Sequence, residues 1–139
     1  MDYLCGMDIL AFRSFCLALP DVEETLPFDD VTLVYKVAGK MFAVIGLDDP
    51  SYCVVKCDPD RALLLRDRYD EVTSAWHFNK KHWNALRFGG RLSDRQVEQE
   101  LRHSYLLVAR RNVVPRARRE VLLAQIAAAG IEDDSERFE

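Results

Sequence analysis

Aromatic, imidazole, ammonium and amide side chains crowd into one short run, Trp76-His77-Phe78-Asn79-Lys80-Lys81-His82-Trp83. Lys80 and Lys81 can neutralise phosphates while Trp76, Phe78 or Trp83 offers a face on which a base stacks, the two ingredients of backbone or single-strand nucleic-acid contact. A competing structural reading puts both indoles in the core, their N–H groups bonded internally, and leaves the lysines solvated at a turn. A second group, Lys56-Cys57-Asp58-Pro59, runs from a strand end into a helix start. Free N–H groups there favour an anion and Lys56 adds a full charge, but Asp58, as the cap, takes those donors itself. A third group, His103-Ser104-Tyr105, lies within a helix. Adjacent helical positions point to different faces, so His103 and Ser104 do not form base and nucleophile together, and no acidic orienter stands near His77 or His82 in sequence. Hydroxyls on an otherwise apolar helix face must find partners on whatever they pack against.

Cys53 and Cys57 with His77 and His82 give C-x3-C, nineteen residues, then H-x4-H. That gap exceeds the roughly twelve residues of a zinc finger. Even spacing along a β-rich run instead puts both sulfurs on one face with Val55, as buried small hydrophobes sit, so no metal and no cofactor is expected. Cys5 and Cys16 join them as reduced thiols, because a chain of 139 residues does not need disulfides in place of a core.

Positioning these groups needs a scaffold, and the apolar spacing predicts one. Asp8 caps a helix over 8–19 whose apolar positions Ile9, Phe12, Cys16 and Leu19 follow helical spacing until Pro20 stops it. Asp21 to Asp30, acidic and interrupted by Pro27, reads as a solvated loop. Val31 to Val37, Met41 to Leu47 and Tyr52 to Cys57, joined by Ala38-Gly39-Lys40 and Asp48-Asp49-Pro50-Ser51, read as an antiparallel meander. Pro59 opens a second helix running to Tyr69, with Ala62-Leu63-Leu64-Leu65 as its buried face, and strands return over 74–77 and 82–88. Ser93-Asp94-Arg95-Gln96 is a capping box for a helix bearing Val97, Leu101, Tyr105 and Val108, and a last helix runs from Pro115 to Ala129, ended by Gly130. The result is an α+β chain, an antiparallel sheet packed by helices, with one domain over 1–112 and a C-terminal helix and acidic tail over 113–139.

With 49% hydrophobic and 30% charged residues the composition is that of a protein with a real core, neither disordered nor fibrous. No apolar run reaches the roughly 18 residues of a membrane span, and no basic lead precedes an apolar stretch, so the expectation is a cytoplasmic protein with no membrane partner. The net charge of -4 conceals an asymmetry. Residues 1–71 carry 7 basic and 14 acidic side chains, residues 72–119 carry 11 and 3, and residues 120–139 carry 1 and 6. A stretch at +8 between two negative ones suits a polyanion, and the acids after Ala129 are able to fold back on the arginines of 110–119 and compete for it.

Leu19-Pro20, Phe42 after Lys40, Lys56-Cys57-Asp58-Pro59, His77 with Asn79-Lys80-Lys81-His82-Trp83-Asn84, and Ser104-Tyr105-Leu106-Leu107-Val108, in this order, resemble the MmcQ/YjbR family of small bacterial proteins. The N-K-x-H-W and S-Y-x-L-V elements are the most specific, and the resemblance covers Met7 to Arg111. It implies a CyaY-like fold with wing-like elements and a proposed DNA-binding role. Kinship with frataxin-like folds also raises iron binding, which needs acids gathered on the first helix and edge strand. Here helix one offers Asp8 and Arg13, while Asp21, Glu23, Glu24, Asp29 and Asp30 sit in the loop after it, so iron is not carried over.

Three functions compete. In the first, a non-enzymatic DNA-binding protein, monomer or weak dimer, contacts phosphates with little sequence specificity through a basic wing of Lys80, Lys81, Arg87 and Arg91, extended by Arg110 and Arg111 and by Arg116, Arg118 and Arg119. In the second, Lys56, His77, Asn79, His82, Trp83, Ser104 and Tyr105 converge on an anionic ligand in a pocket or an uncharacterised active site. The third is a protein-interaction adaptor with an exposed apolar patch on the last helix around Leu122 and Ile126.

Overall fold

The computed structural model describes residues 7–134; Cys5 and tail residues 135–139 lie outside the described residues. In chain order the elements are α1 (Ile9–Leu17), β1 (Val22–Thr25), β2 (Thr32–Val37), β3 (Lys40–Gly46), β4 (Tyr52–Lys56), α2 (Pro59–Arg68), β5 (Val72–Ser74), β6 (Trp83–Arg87), α3 (Asp94–Arg111) and α4 (Arg116–Ala128). The strands form one six-stranded sheet in the order β1-β2-β3-β4-β6-β5, and every neighbouring pair is antiparallel. The fold is α+β, and the meander read from the sequence is its centre.

Side chains alternate across the sheet, and the helices cover one face of it. Leu33, Tyr35, Ile45, Cys53, Val55 and Leu86 join Phe12 of α1, Leu65 of α2, Leu101 of α3 and Leu122 of α4 in one buried core. Val34, Val44 and Val54 point the other way, into a small cluster with Ala75, Phe78 and Trp83 that no helix covers.

The capping box predicted at Ser93 forms in full: Gln96 N–H donates to Ser93 Oγ and Ser93 N–H donates to Gln96 Oε1. The helix it starts, α3, is fastened to three other segments by three successive residues. His103 Nε2 accepts from Asp58 N–H at 3.1 Å, where α2 begins. Ser104 Oγ accepts from Lys56 N–H at 2.9 Å and donates to the Phe42 carbonyl at 2.6 Å, bridging β4 and β3. Tyr105 OH donates to the Pro20 carbonyl at 2.6 Å, between α1 and β1. Adjacent helical side chains fan out, so one short segment reaches three partners. A buried ion pair adds a fourth tie, Arg61 Nε lying 3.1 Å from both Glu100 oxygens.

Several expectations need correction. The acidic stretch after Pro20 is not all loop, because Val22–Thr25 pairs with β2 as an edge strand. Its Glu24 faces the helices and accepts from Arg13 Nε at 2.7 Å, Arg13 Nη2 at 3.0 Å and Tyr35 OH, so a residue that reads as solvated is the polar hub joining α1 to the sheet. On α2, Ala62 and Leu65 are buried but Leu63 and Leu64 are 63% and 57% exposed. Only positions three apart share the narrow stripe that this helix presents. The strand expected over 74–77 is Val72–Ser74, at the sheet edge, and the residues after it turn away as a loop. On α4, Leu122 and Ile126 lie in the main core rather than in an exposed patch, so the helix of the C-terminal extension packs as part of the same core.

Two outcomes test this arrangement. Ser104→Ala strands a buried N–H and a buried carbonyl and lowers unfolding free energy in urea by about 2 kcal/mol; an unchanged midpoint would show that the helix is not held there. The Glu24 carboxyl is held below the usual carboxylate range, chiefly by the Arg13 hydrogen bond and further by Tyr35, against the opposing effect of burial. A depressed folded value contributes stability above the unfolded value that disappears as pH falls through the folded one. Glu24→Gln is therefore less stable than the parent chain near neutral pH, and melts at falling pH show the two converging in acid. A gap that persists undiminished there contradicts the assignment.

Candidate nucleic-acid interface

The chain contains five lysines, Lys36, Lys40, Lys56, Lys80 and Lys81. Lys36 lies at the end of β2 and pairs with Met41, and Lys40 begins β3 opposite Val37. Lys56 ends β4 opposite Trp83, the first residue of β6, and Lys80 and Lys81 immediately precede that strand. In an antiparallel sheet the end of one strand meets the beginning of the next, so all five lysines fall at one end of the sheet. Four neighbouring strands at their usual spacing carry this row over about 15 Å.

Helices add to it. Arg110 and Arg111 close α3 beside Lys56, whose Nζ donates to Asn112 Oδ1 at 3.2 Å. Burial, and then the like charge of Arg111, lowers the affinity of the Lys56 ammonium for its proton. Arg118 of α4 approaches Asp21, at the start of β1, to 3.5 Å. The loop bearing Lys80 and Lys81 is tied down from α2: Arg66 Nε donates to Asn84 Oδ1 at 2.7 Å, and Arg66 Nη2 to the Trp83 carbonyl at 3.1 Å and to the Lys80 carbonyl. Lys81 N–H donates to Asn79 Oδ1 at 2.9 Å, leaving the Lys80 and Lys81 side chains exposed at the turn.

The opposite end of the sheet is different in charge. Asp29, Asp48, Asp49 and Glu71 gather there with Arg87, which ends β6, and Arg91. Arg91 N–H donates to Glu71 Oε2 at 3.1 Å and Arg91 Nη2 to the Arg68 carbonyl at 3.0 Å. The Arg91 backbone bond, first among several, holds the Glu71 carboxyl below its usual range. Of the four cations expected on the basic wing, Lys80 and Lys81 thus share an end with Arg110 and Arg111 of the expected extension, and Arg87 and Arg91 lie at the other end among carboxylates.

The residues expected to converge on a pocket are divided by the sheet. Ser104 and Tyr105 are buried on the helix side with their hydroxyls committed as described. His77 and Asn79 are exposed on the far side, where Trp83 packs against Phe78 with ring centroids 5.2 Å apart. Half-buried His82 accepts from Cys57 N–H through its carbonyl at 2.8 Å. Cys53 and Cys57 sit with Val55 in the core, as alternation predicts, away from His77, and burial pushes both thiols up. Neither tryptophan is a core anchor: Trp83 is half-buried and Trp76 is 78% exposed.

The helix-free face instead holds an open groove of about 1100 Å³ floored by Val44, Val54 and Ala85. Its rim carries Trp76 and His77 together with Phe28 and Tyr52, two residues that the sequence analysis did not single out. Phe28 lies in the stretch read as a solvated loop, and only strand pairing brings Tyr52 beside Arg87. The described part of the acidic tail lies along α3: Asp133 Oδ2 is 3.4 Å from His103 Nδ1 and 3.7 Å from Arg110 Nη1, and Asp134 Oδ2 is 3.0 Å from Arg102 Nη2. Among the described residues no helix is long and apolar enough to cross a membrane.

Comparison with known proteins places this arrangement in a family. The YjbR family model matches residues 17–107. The uncharacterised YjbR protein of Escherichia coli K12 is 28% identical over 118 residues, covering 84% of this chain and 98% of that protein. The uncharacterised YbdF protein of Escherichia coli O157:H7 is 31% identical over 97 residues, covering 69% and 80%. A crystal structure of a Deinococcus radiodurans protein with a DUF419 domain superposes with a TM-score of 0.77 at 33% identity over 91% of this chain and 90% of that one. A Pseudomonas syringae protein at 20% identity shares the fold, with a TM-score of 0.62 over 73% of this chain and 98% of its own. The motifs around Lys56, His82-Trp83 and Ser104-Tyr105 lie within the matched span, and the chain belongs to the YjbR family.

Proposed function

We propose that this chain is a non-enzymatic DNA-binding protein that meets the phosphate backbone with the lysine end of its sheet. The observation that carries the reading is the collection of all five lysines at that end, beside Arg110 and Arg111, with Glu23 opposite Lys36 and Asp133 near Arg110 offsetting part of the charge, while Asp29, Asp48, Asp49 and Glu71 lie at the other end. Such a polarised molecule turns its positive end toward a polyanion in spite of a net charge of -4. Lysine ammoniums are flexible point charges, and phosphate contacts position a duplex without reading its bases, so little sequence preference is expected. The bonds made by His103, Ser104 and Tyr105 occupy those side chains structurally, which supports binding over catalysis. Arg87 and Arg91 fall outside the proposed footprint.

Anisotropy titrations of a labelled duplex over a range of salt concentrations test this. Affinity falls linearly with salt on logarithmic axes, and replacing Lys80 and Lys81 together by Ala reduces the slope by about two and weakens unrelated sequences alike. Arg87→Ala leaves the affinity where it was. Absence of duplex binding at low salt, or a slope indifferent to Lys80 and Lys81, overturns the proposal.

A further inference from the structure

We infer that the helix-free groove takes unstacked nucleobases from a single strand whose backbone crosses the lysine end, an inference that rests on the nucleic-acid reading above and specifies the form of nucleic acid. Three observations combine. The first is the set of rings left in water around one cavity: Trp76 is 78% exposed, Phe28 68% and Tyr52 41%, and all three line the groove of about 1100 Å³. A base inserted among them stacks on a ring over an apolar floor of Val44, Val54 and Ala85, a contact available to every base because each has a π face.

The second is the positive charge at one end of the groove. The wall segment that carries Trp76 and Phe78 continues into the exposed Lys80 and Lys81, and by alternation Lys36 shares the helix-free face with Val34, while the Lys56 ammonium turns to Asn112 on the helix side. A strand lying with phosphates on the lysines projects its bases inward. The third is the far end, where Asp29, Asp48, Asp49 and Glu71 line the groove with Arg87. Carboxylates repel phosphate but accept hydrogen bonds from exocyclic amino groups, which cytosine, adenine and guanine carry and thymine lacks. A paired duplex hides these ring faces in its stack, so the groove selects the open strand, and its carboxylates favour amino-bearing bases.

The test uses the full chain with labelled oligodeoxycytidine, oligothymidine and a duplex, each of about ten nucleotides, in anisotropy titrations. The expected order is oligodeoxycytidine tighter than oligothymidine, and both tighter than duplex. Trp76→Ala weakens the single strands about tenfold or more while duplex affinity stays, and Trp76→Phe recovers part of the loss. Phe28→Ala supplies a second, independent variant on the opposite wall, and thermal melts confirm that each variant folds. Duplex binding that persists while both variants leave single-strand affinity unchanged overturns the groove assignment and leaves the lysine reading intact. If neither form of nucleic acid binds, both fall. Sedimentation showing a dimer that Trp76→Ala dissociates, with no effect on single strands, gives the groove to a second copy of the chain and equally overturns the inference.

Discussion

Along each strand of an antiparallel sheet successive side chains face opposite ways, and across it the end of one strand meets the beginning of the next. The first property sends Cys53 and Val55 to the helices and Val54 to the groove from a single short strand. The second takes lysines from four places in the chain and sets them in one row, while the aspartates of the intervening turn go to the other end. Core, groove and charge polarity are all consequences of one pairing pattern, with helices laid on one side of it.

Covering a single face imposes demands of its own. The covered side needs firm attachment, because a helix held only by apolar contact can slide, and α3 meets this with directional bonds from His103, Ser104 and Tyr105 to three separate segments. Each such bond contributes modestly when made and costs more when one buried partner is left alone, so the set acts as a lock on register more than as a large source of stability. The uncovered side is left with a small cluster and a rim of exposed rings, more apolar surface than a sheet face in water ordinarily collects.

The charge layout also has an internal counterweight. Asp133 and Asp134 lie against Arg110 and Arg102 on α3, so part of the acidic tail neutralises the helix flank and leaves the lysine row of the sheet as the more open cationic feature. Of the arginines between 110 and 119, Arg110 is reached by the described part of the tail, which after Gly130 follows α3.

What the sequence determined by itself is what a few neighbouring residues decide. The capping box at Ser93, the Asp58-Pro59 helix start, the hairpin at Gly39 and the alternation that buries Cys53 with Val55 are local choices of dihedral and hydrogen bond, legible without any partner. The family motifs are equally legible, since they are strings of residue types. Tertiary structure alone decided which charges share a surface. Lys56 stands beside Lys80 because β4 pairs with β6 across an intervening helix and edge strand, and Arg87 parts from Lys81 because a strand about 13 Å long separates them. It likewise decided that Glu24 is a half-buried polar hub, since its partners Arg13 and Tyr35 come from a helix and another strand, and that Phe28 and Trp76 face one groove from opposite sides. Such neighbours are chosen by long-range pairing, whose free energy is spread over the whole sheet and leaves no mark in the spacing of any one segment.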